Sequence, residues 1–360
     1  LKAVLLVGGE GTRLRPLTCN TVKAMVPVLN RPFLEHMVRY LVSHGVDDII
    51  VTLCYLPDRI RDYFGDGSRF GVRMDYVQEE SPLGTAGAVK NAAAHLDSTF
   101  VVLNGDIFTE LDVSKMIAQH RANKAEATIA LTPVENPTAY GVVEIEDTGR
   151  IRRFVEKPPP DQVTSNLINA GVYVLEPRVL EEIPQDVPFM FEHHVFPALL
   201  GRGALFYGYV SDAYWLDIGT PEKYLKLNCD LLEGYCLPAS GMSAQGSAME
   251  SSCVDGTAII EGPVVMGTSC SIGPHVTLKG PVVLGDRCTV LEGATLEKVI
   301  LWDEASVGVR AFLKGCVVGA KTRVGHGCHV GEGCIVGDGL SLADGQILEA
   351  GERVWPAGFA

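Results

Sequence analysis

The chain has 360 residues, 47% hydrophobic and 21% charged, which excludes a disordered polymer and exceeds one ordinary core, so two domains are expected. Its net charge of −14 sets up a field that repels nucleic acid and anionic membrane surfaces, so any anionic ligand needs a local cluster of cations. The ten cysteines form no C-x-x-C pair, and no run approaches the roughly 18 apolar residues of a membrane span, so we expect a cytoplasmic protein without structural zinc or disulfides.

From residue 2 to about 232, short β-branched runs alternate with helical patterns. Strands are expected at residues 3–7, 48–53, 73–77, 99–103 and 126–131. The apolar run at 3–7 is too short for the core of a signal peptide. Leu34, Met37, Val38, Leu41 and Val42 share one helical face, and Gly45 is a stop signal. This alternation predicts an α/β domain: a Rossmann-like, mostly parallel sheet with helices on both faces. Ligands of such sheets bind outside the carboxyl ends of the strands, so the loops after strands are where chemistry is sought. His193-His194 reads as a loop pair with no role.

The first such loop is residues 8–18, Gly8-Gly9-Glu10-Gly11-Thr12-Arg13-Leu14-Arg15-Pro16-Leu17-Thr18. Its glycines let backbone N–H groups approach phosphate oxygens closely. Arg13, Arg15 and Lys23 put three cations within eleven residues, which stands out against a net charge of −14. A Walker loop would need G-x-x-x-x-G-K-[ST], and a dinucleotide fingerprint would need G-x-G-x-x-G; neither is present here.

Residues 233–257 become rich in Gly, Ser and Ala and read as a linker between a domain at 1–232 and another at 258–360. In the second domain the period changes to six. Apolar residues recur at Ile260, Met266, Ile272, Leu278, Leu284, Val290, Leu296 and Trp302, slip through Val307 and Leu313, and resume at Val318, Val324, Val330, Val336 and Leu342. Such hexads predict a parallel β-helix of about four to five coils, with the local cysteines as small core residues. His275, His326 and His329 fall at corners, where solvent exposure is expected.

The loop resembles the signature of the sugar-nucleotide pyrophosphorylases, the nucleotidyltransferases that make nucleotide sugars. Further blocks match in order: Lys23-Ala24-Met25-Val26-Pro27-Val28, Pro82-Leu83-Gly84-Thr85-Ala86-Gly87, Leu103-Asn104-Gly105-Asp106, Tyr140-Gly141-Val142-Val143, Phe154-Val155-Glu156-Lys157-Pro158, Asn169-Ala170-Gly171 and Trp215-Leu216-Asp217-Ile218-Gly219. The resemblance spans nearly the whole chain, with a left-handed parallel β-helix of hexapeptide repeats as its C-terminal part. It departs at Ala24, where the family usually has proline.

The resemblance implies transfer of a nucleotidyl group from a nucleoside triphosphate to a sugar 1-phosphate, with Mg²⁺ held by Asp106 and Asp217. It implies catalytic roles for Arg13, Lys23 and Asp106. Leu6, Gly8, Gly9, Gly11, Thr12 and Arg13 would contact the nucleotide, as would Glu79, Gly84 and Thr85. Gly141, Glu156, Lys157 and Asn169 would contact the sugar phosphate. Glu156 and Lys157 can both reach a ligand only if their strand ends there, as Pro158 suggests. Glu79 stands where uridylyl- and thymidylyltransferases of the family typically carry Gln. A carboxylate only accepts hydrogen bonds, which suits the N1–H and 2-amino donors of guanine. GDP-mannose pyrophosphorylases resemble the chain in that stretch, which implies GTP and mannose 1-phosphate. UTP or dTTP with glucose 1-phosphate is the alternative, and a catalytically silent regulatory subunit is the reading from another class. Small-molecule substrates are the expected partners, with no nucleic acid and no membrane, and self-association through the β-helix is expected.

Overall fold

The first strand, β1 (Lys2–Leu6), has strands on both sides, and its middle residues Ala3, Val4 and Leu5 are all buried, as a central parallel strand requires. It belongs to a computed structural model that describes residues 1–238 and 251–359; the Gly/Ser/Ala-rich run 239–248 lies outside the described residues. The chain divides into two units, Leu1–Gly9 with Met37–Asp217 and Glu10–His36 with Ile218–Ala360.

In the first unit β1 pairs in parallel with β2 (Asp48–Leu53), and β2 in turn with β3 (Arg73–Gln78). On its other side it pairs with β4 (Phe100–Asn104), again in parallel. A short β5 (Ile107–Thr109) follows. The sheet is extended by β6 (Ala127–Pro133), β7 (Gly141–Ile145), β8 (Ile151–Glu156), β9 (Leu167–Leu175) and β10 (Phe206–Val210). Its order is β8-β7-β9-β4-β1-β2-β3, with β6 between β9 and β10. The half from β4 to β3 is the parallel, Rossmann-like part; β9 joins it antiparallel to β4. A separate ladder pairs β5 with β11 (Trp215–Asp217). The strands match their expected positions with shifts of at most two residues at their ends.

Among the described residues the α-helices are α1 (Phe33–Ser43), α2 (Pro57–Phe64), α3 (Gly84–Asn91), α4 (Val113–Ala122), α5 (Phe196–Gly201) and α6 (Pro221–Glu233). On α1, Leu34, Met37, Val38 and Leu41 are buried as expected, whereas Val42 is 37% exposed. Gly45 ends it with φ 74°, and the Val46 N–H closes back on the Leu41 carbonyl. Among the described residues, no helix is long and apolar enough to cross a membrane.

The second unit contains three all-parallel sheets of five, six and six strands, the signature of a parallel β-helix. Its first strand, Cys253–Val254, falls within the stretch that reads as linker. Six-stranded sheets also mean one rung more than the repeats suggested. The rung length is not constant. Ile259 pairs with Thr277 and Thr277 with Thr295, but Thr295 then pairs with Phe312 and Phe312 with His329, one residue short each time.

This shortening corrects the inward column. After Leu296 the core residue is Leu301, not Trp302, and then Val307, Leu313 and Val318 follow. The two-residue corner Gly280-Pro281 is replaced at Lys298 and at Gly315 by one residue with positive φ, 54° and 56°. A one-residue change moves every later side chain to the opposite face. Trp302 therefore points outward, and its indole Nε1 donates to the hydroxyl of Tyr224 on α6 at 3.0 Å. Ile260 is not interior either: it sits on the end rung and is 39% exposed. Cys270, Cys288, Cys316, Cys328 and Cys334 fill the interior as expected, Cys253 is exposed, and all ten cysteines are free thiols. His275, His326 and His329 are exposed.

Candidate active site at the strand ends of the first unit

Four parallel strands end together. Gly105, just past β4, donates its N–H to the Leu6 carbonyl at 2.9 Å, and a Cβ on it would collide with that oxygen, so only glycine lets these ends meet. A Cβ on Gly8 would stand 3.2 Å from Glu79 Oε1 and 3.3 Å from Cys54 Cβ, so the loop after β1 lies against the residues after β3 and β2. Glu79 is buried, whereas its neighbours Gln78 and Glu80 are exposed. Its Oε2 accepts from the Leu83 N–H at 2.9 Å. Burial lifts the carboxyl pKa above its ordinary value, and that hydrogen bond opposes the lift.

Leu83 leads into α3. A Cβ on Gly84, whose φ is 72°, would stand 2.7 Å from the Phe189 carbonyl oxygen. The same oxygen accepts from the N–H groups of Ala86 and Gly87, each at 3.0 Å, so these amides at the helix start already have a partner. Thr85 is engaged as well: its hydroxyl donates to Glu192 Oε2 at 3.0 Å and accepts from the Phe191 N–H at 3.0 Å.

The β5–β11 ladder sets Asp217 opposite Ile107, the residue after Asp106, so the backbones of the two aspartates are diagonal neighbours although they come from distant parts of the chain. Asp217 is buried and accepts from the Tyr140 hydroxyl at 3.2 Å. The Tyr140 ring packs edge-on against Trp215 at 5.6 Å, and the Trp215 indole donates to the Ala170 carbonyl at 2.8 Å, which holds the ladder in place. Two carboxylates are a hard-oxygen donor set that fits a divalent cation sharing phosphate oxygens. Among the described residues, no group of three or more His, Cys, Asp and Glu could hold a metal without such help.

The far side of the site is built on β7, β8 and β9. Glu156 ends β8 directly opposite Gly141, and a Cβ on Gly141 would stand 2.8 Å from Glu156 Oε2. Lys157 then turns with φ 44°, which brings its Nζ to 3.5 Å from Glu156 Oε1 instead of sending it to the opposite face. Asn169 is fixed at both ends of its amide: Oδ1 accepts from the Gly171 N–H at 3.0 Å, and Nδ2 donates to the Tyr173 hydroxyl at 3.0 Å. Tyr173 in turn donates to Glu192 Oε1 at 3.4 Å.

Glu192 thus ties Thr85 to Asn169 through Tyr173, and the sequence offered no signal for it. It lies in a π-helical turn, Phe191–Val195, and not in a loop. That corrects the reading of His193-His194. The His194 ring stacks on Phe189 at 4.3 Å, and His193 exerts a favourable charge effect on ionised Glu156. Burial raises the Glu156 pKa first, the Glu192 charge second, and Lys157 and His193 offset part of that.

Gly9 is the last residue of the first unit's opening segment, and the expected Gly11, Thr12, Arg13 and Lys23 lie in the second unit. Gly11 has φ 65°, and a Cβ on it would stand 2.9 Å from Lys23 Cβ, so the loop folds back on the stem of its own lysine. Thr18 donates its hydroxyl to the Gly11 carbonyl at 2.7 Å. Thr12 and Arg13 are exposed on a single 3₁₀ turn, Thr12–Leu14, and Lys23 opens another, Lys23–Met25, in which Ala24 is buried. Arg15 is paired with Glu10 at 3.3 Å.

Residues 2–234 match the family model described as nucleotidyl transferase, and residues 251–357 match the one described as GMPPB C-terminal domain. The chain belongs to the nucleotidyl transferase family. This nucleotidyl transferase is similar to a mannose-1-phosphate guanylyltransferase of Mycobacterium tuberculosis, 39% identical over 283 residues, 77% of each chain. It is also similar to a mannose-1-phosphate guanyltransferase of Neurospora crassa, 38% identical over 331 residues, 90% of this chain and 88% of that one. Among solved structures, HddC from Yersinia pseudotuberculosis complexed with GMP-PN is 33% identical with a TM-score of 0.56, covering 65% of this chain and 99% of that one.

Proposed function

We propose that this nucleotidyl transferase joins GTP and mannose 1-phosphate to give GDP-mannose and pyrophosphate. The observation that carries the choice of base is Glu79, a buried carboxylate against Gly8 at the ends of the parallel strands. Guanine presents N1–H and a 2-amino group as adjacent donors, and a carboxylate accepts from both. The hydrogen bond from Leu83 leaves lone pairs on both oxygens for this. Uracil and thymine present a carbonyl where the second donor would be, which a carboxylate repels. The printed names of the Mycobacterium and Neurospora relatives support the same pair of substrates.

The chemistry follows from charge. A sugar 1-phosphate has a second pKa of about 6, so at neutral pH it is largely a dianion and needs no general base. One of its oxygens forms the new bond to the α-phosphorus in line, and the bond from that phosphorus to the bridging oxygen breaks, releasing pyrophosphate. Arg13 and Lys23 neutralise charge on the triphosphate, with Gly8, Gly9, Gly11 and Thr12 presenting backbone and Leu6, Gly84 and Thr85 bordering the nucleoside. Asp106 and Asp217 hold a divalent cation, Mg²⁺ by the hardness of the donors, which supplies further neutralisation on the phosphoryl oxygens. Glu156 accepts from sugar hydroxyls, Lys157 binds the sugar phosphate, and Gly141 and Asn169 shape the sugar pocket. Ten free thiols support a reducing, cytoplasmic setting. The exposed Ile259 and Ile260, on a rung that ends its sheet among the described residues, support self-association through the β-helix.

Glu79→Gln tests the assignment. The ratio of kcat/KM for GTP over UTP is expected to fall by roughly tenfold or more, since a hydrogen bond to a charged group contributes about 1.5–3 kcal/mol. An unchanged ratio would remove Glu79 from base recognition.

A further inference from the structure

The stretch from Gly11 to Lys23 has no α-helix or strand, and its own backbone hydrogen bonds close only single turns, so contacts from outside add to its order. The C-terminal part of the same unit first holds the residues that follow this stretch, 27–30. Asn30 Nδ2 donates to the Leu284 carbonyl of the β-helix at 2.7 Å. Tyr224 on α6 donates to the Pro27 carbonyl and accepts from Trp302, and Asn228 Oδ1 accepts from the Leu29 N–H at 2.9 Å.

The last coils reach the loop itself. Arg353 Nη1 donates to the Arg15 carbonyl at 3.2 Å, and its other terminal nitrogen lies 4.0 Å from Glu222. The strand Arg353–Val354 pairs with Ile335–Val336, which fixes where that guanidinium starts. Next to it, a Cβ on Gly337 would stand 2.7 Å from Pro356 Cδ and 3.2 Å from Pro16 Cβ, so the glycine leaves the space into which Pro16 packs. Both contacts fall on Arg15 and Pro16, midway between Gly11 and Lys23, and neither occupies the exposed Thr12 and Arg13.

We infer that the last coils of the β-helix set the position of the triphosphate loop, with Arg353 as a positioning residue acting through the Arg15 carbonyl and Gly337 as the gap that seats Pro16. The inference rests on reading residues 11–23 as the triphosphate grip. A β-helix in this role belongs to the catalytic machinery as a brace, and its loss should loosen nucleotide binding before it affects the sugar.

The test compares Arg353→Ala, Arg353→Lys and Gly337→Ala with the wild-type full chain. Hydrogen exchange is read without substrate on the loop amides that close its turns, Arg15 to Thr12, Leu17 to Leu14 and Cys19 to Pro16. Exchange of these amides is expected to quicken roughly fivefold to tenfold in Arg353→Ala, to be largely restored in Arg353→Lys, and to quicken in Gly337→Ala. In steady-state assays, KM for the triphosphate should rise by a similar factor in Arg353→Ala while KM for the sugar 1-phosphate stays the same. Wild-type exchange and wild-type KM values in Arg353→Ala and Gly337→Ala would overturn the inference. So would a lowered melting temperature with the loop's exchange unchanged, the mark of a merely structural arginine. Because exchange needs no turnover, a chain inactive with every substrate pair would sink the proposed function and still leave this result readable.

Discussion

Glu192 shows what a single side chain can connect. One oxygen accepts from Thr85 at the start of α3, and the other from Tyr173, which also holds Asn169. Its charge, second only to burial, raises the pKa of Glu156. Removing that charge lowers the Glu156 pKa, so the carboxylate stays ionised to a lower pH. In Glu192→Gln the acid limb of kcat/KM for the sugar 1-phosphate should therefore move to lower pH; a limb that stays or moves upward would contradict the link. Glu79 could be picked out from the sequence because it sits four residues before Leu83 in a recognisable block. Glu192 could not, because its partners Thr85 and Tyr173 are remote in the chain and its π-helical turn follows no strand. The geometry of Lys157 was half legible: Pro158 signalled the strand end, but the positive φ that returns the ammonium to Glu156 was not visible.

At the scale of elements, the parallel strands were legible because buried central strands are nearly continuous aliphatic runs. The antiparallel additions around β9 were not, since pairing partners and direction leave no local mark. The β5–β11 ladder matters most here: three residues on each side bring Asp106 and Asp217 together. In the β-helix the hexad was plain, yet the phase after Leu296 was ambiguous because Leu301 and Trp302 are both apolar. The one-residue corner at Lys298 decides it for Leu301. Leu301→Ala should thus cost about 2–5 kcal/mol in denaturant unfolding, the range for emptying a core position. Trp302→Phe keeps most of the packing and removes one donor to Tyr224, so about 1 kcal/mol is expected. A larger loss in Trp302→Phe than in Leu301→Ala would restore the unbroken hexad.

Across the whole molecule, the loop that carries the local cations folds as part of the unit containing the β-helix, although by sequence it belongs to the first domain. In the proposed function, with a net charge of −14 over the whole chain, that local cluster is what draws in a triphosphate. The carboxylate pair, the buried Glu79 and the polar wall of Glu156 and Asn169 are arranged on a different set of strand ends. Nucleotidyl transfer from a nucleoside triphosphate to a sugar 1-phosphate is the central claim, and a pyrophosphate-release panel tests it most directly. The full chain is assayed with GTP, UTP, dTTP, ATP and CTP against the 1-phosphates of mannose, glucose and N-acetylglucosamine, in Mg²⁺. GTP with mannose 1-phosphate should give the highest kcat/KM, by roughly tenfold or more over the next pair. A higher value for UTP or dTTP with glucose 1-phosphate, or no pyrophosphate from any pair, would contradict it.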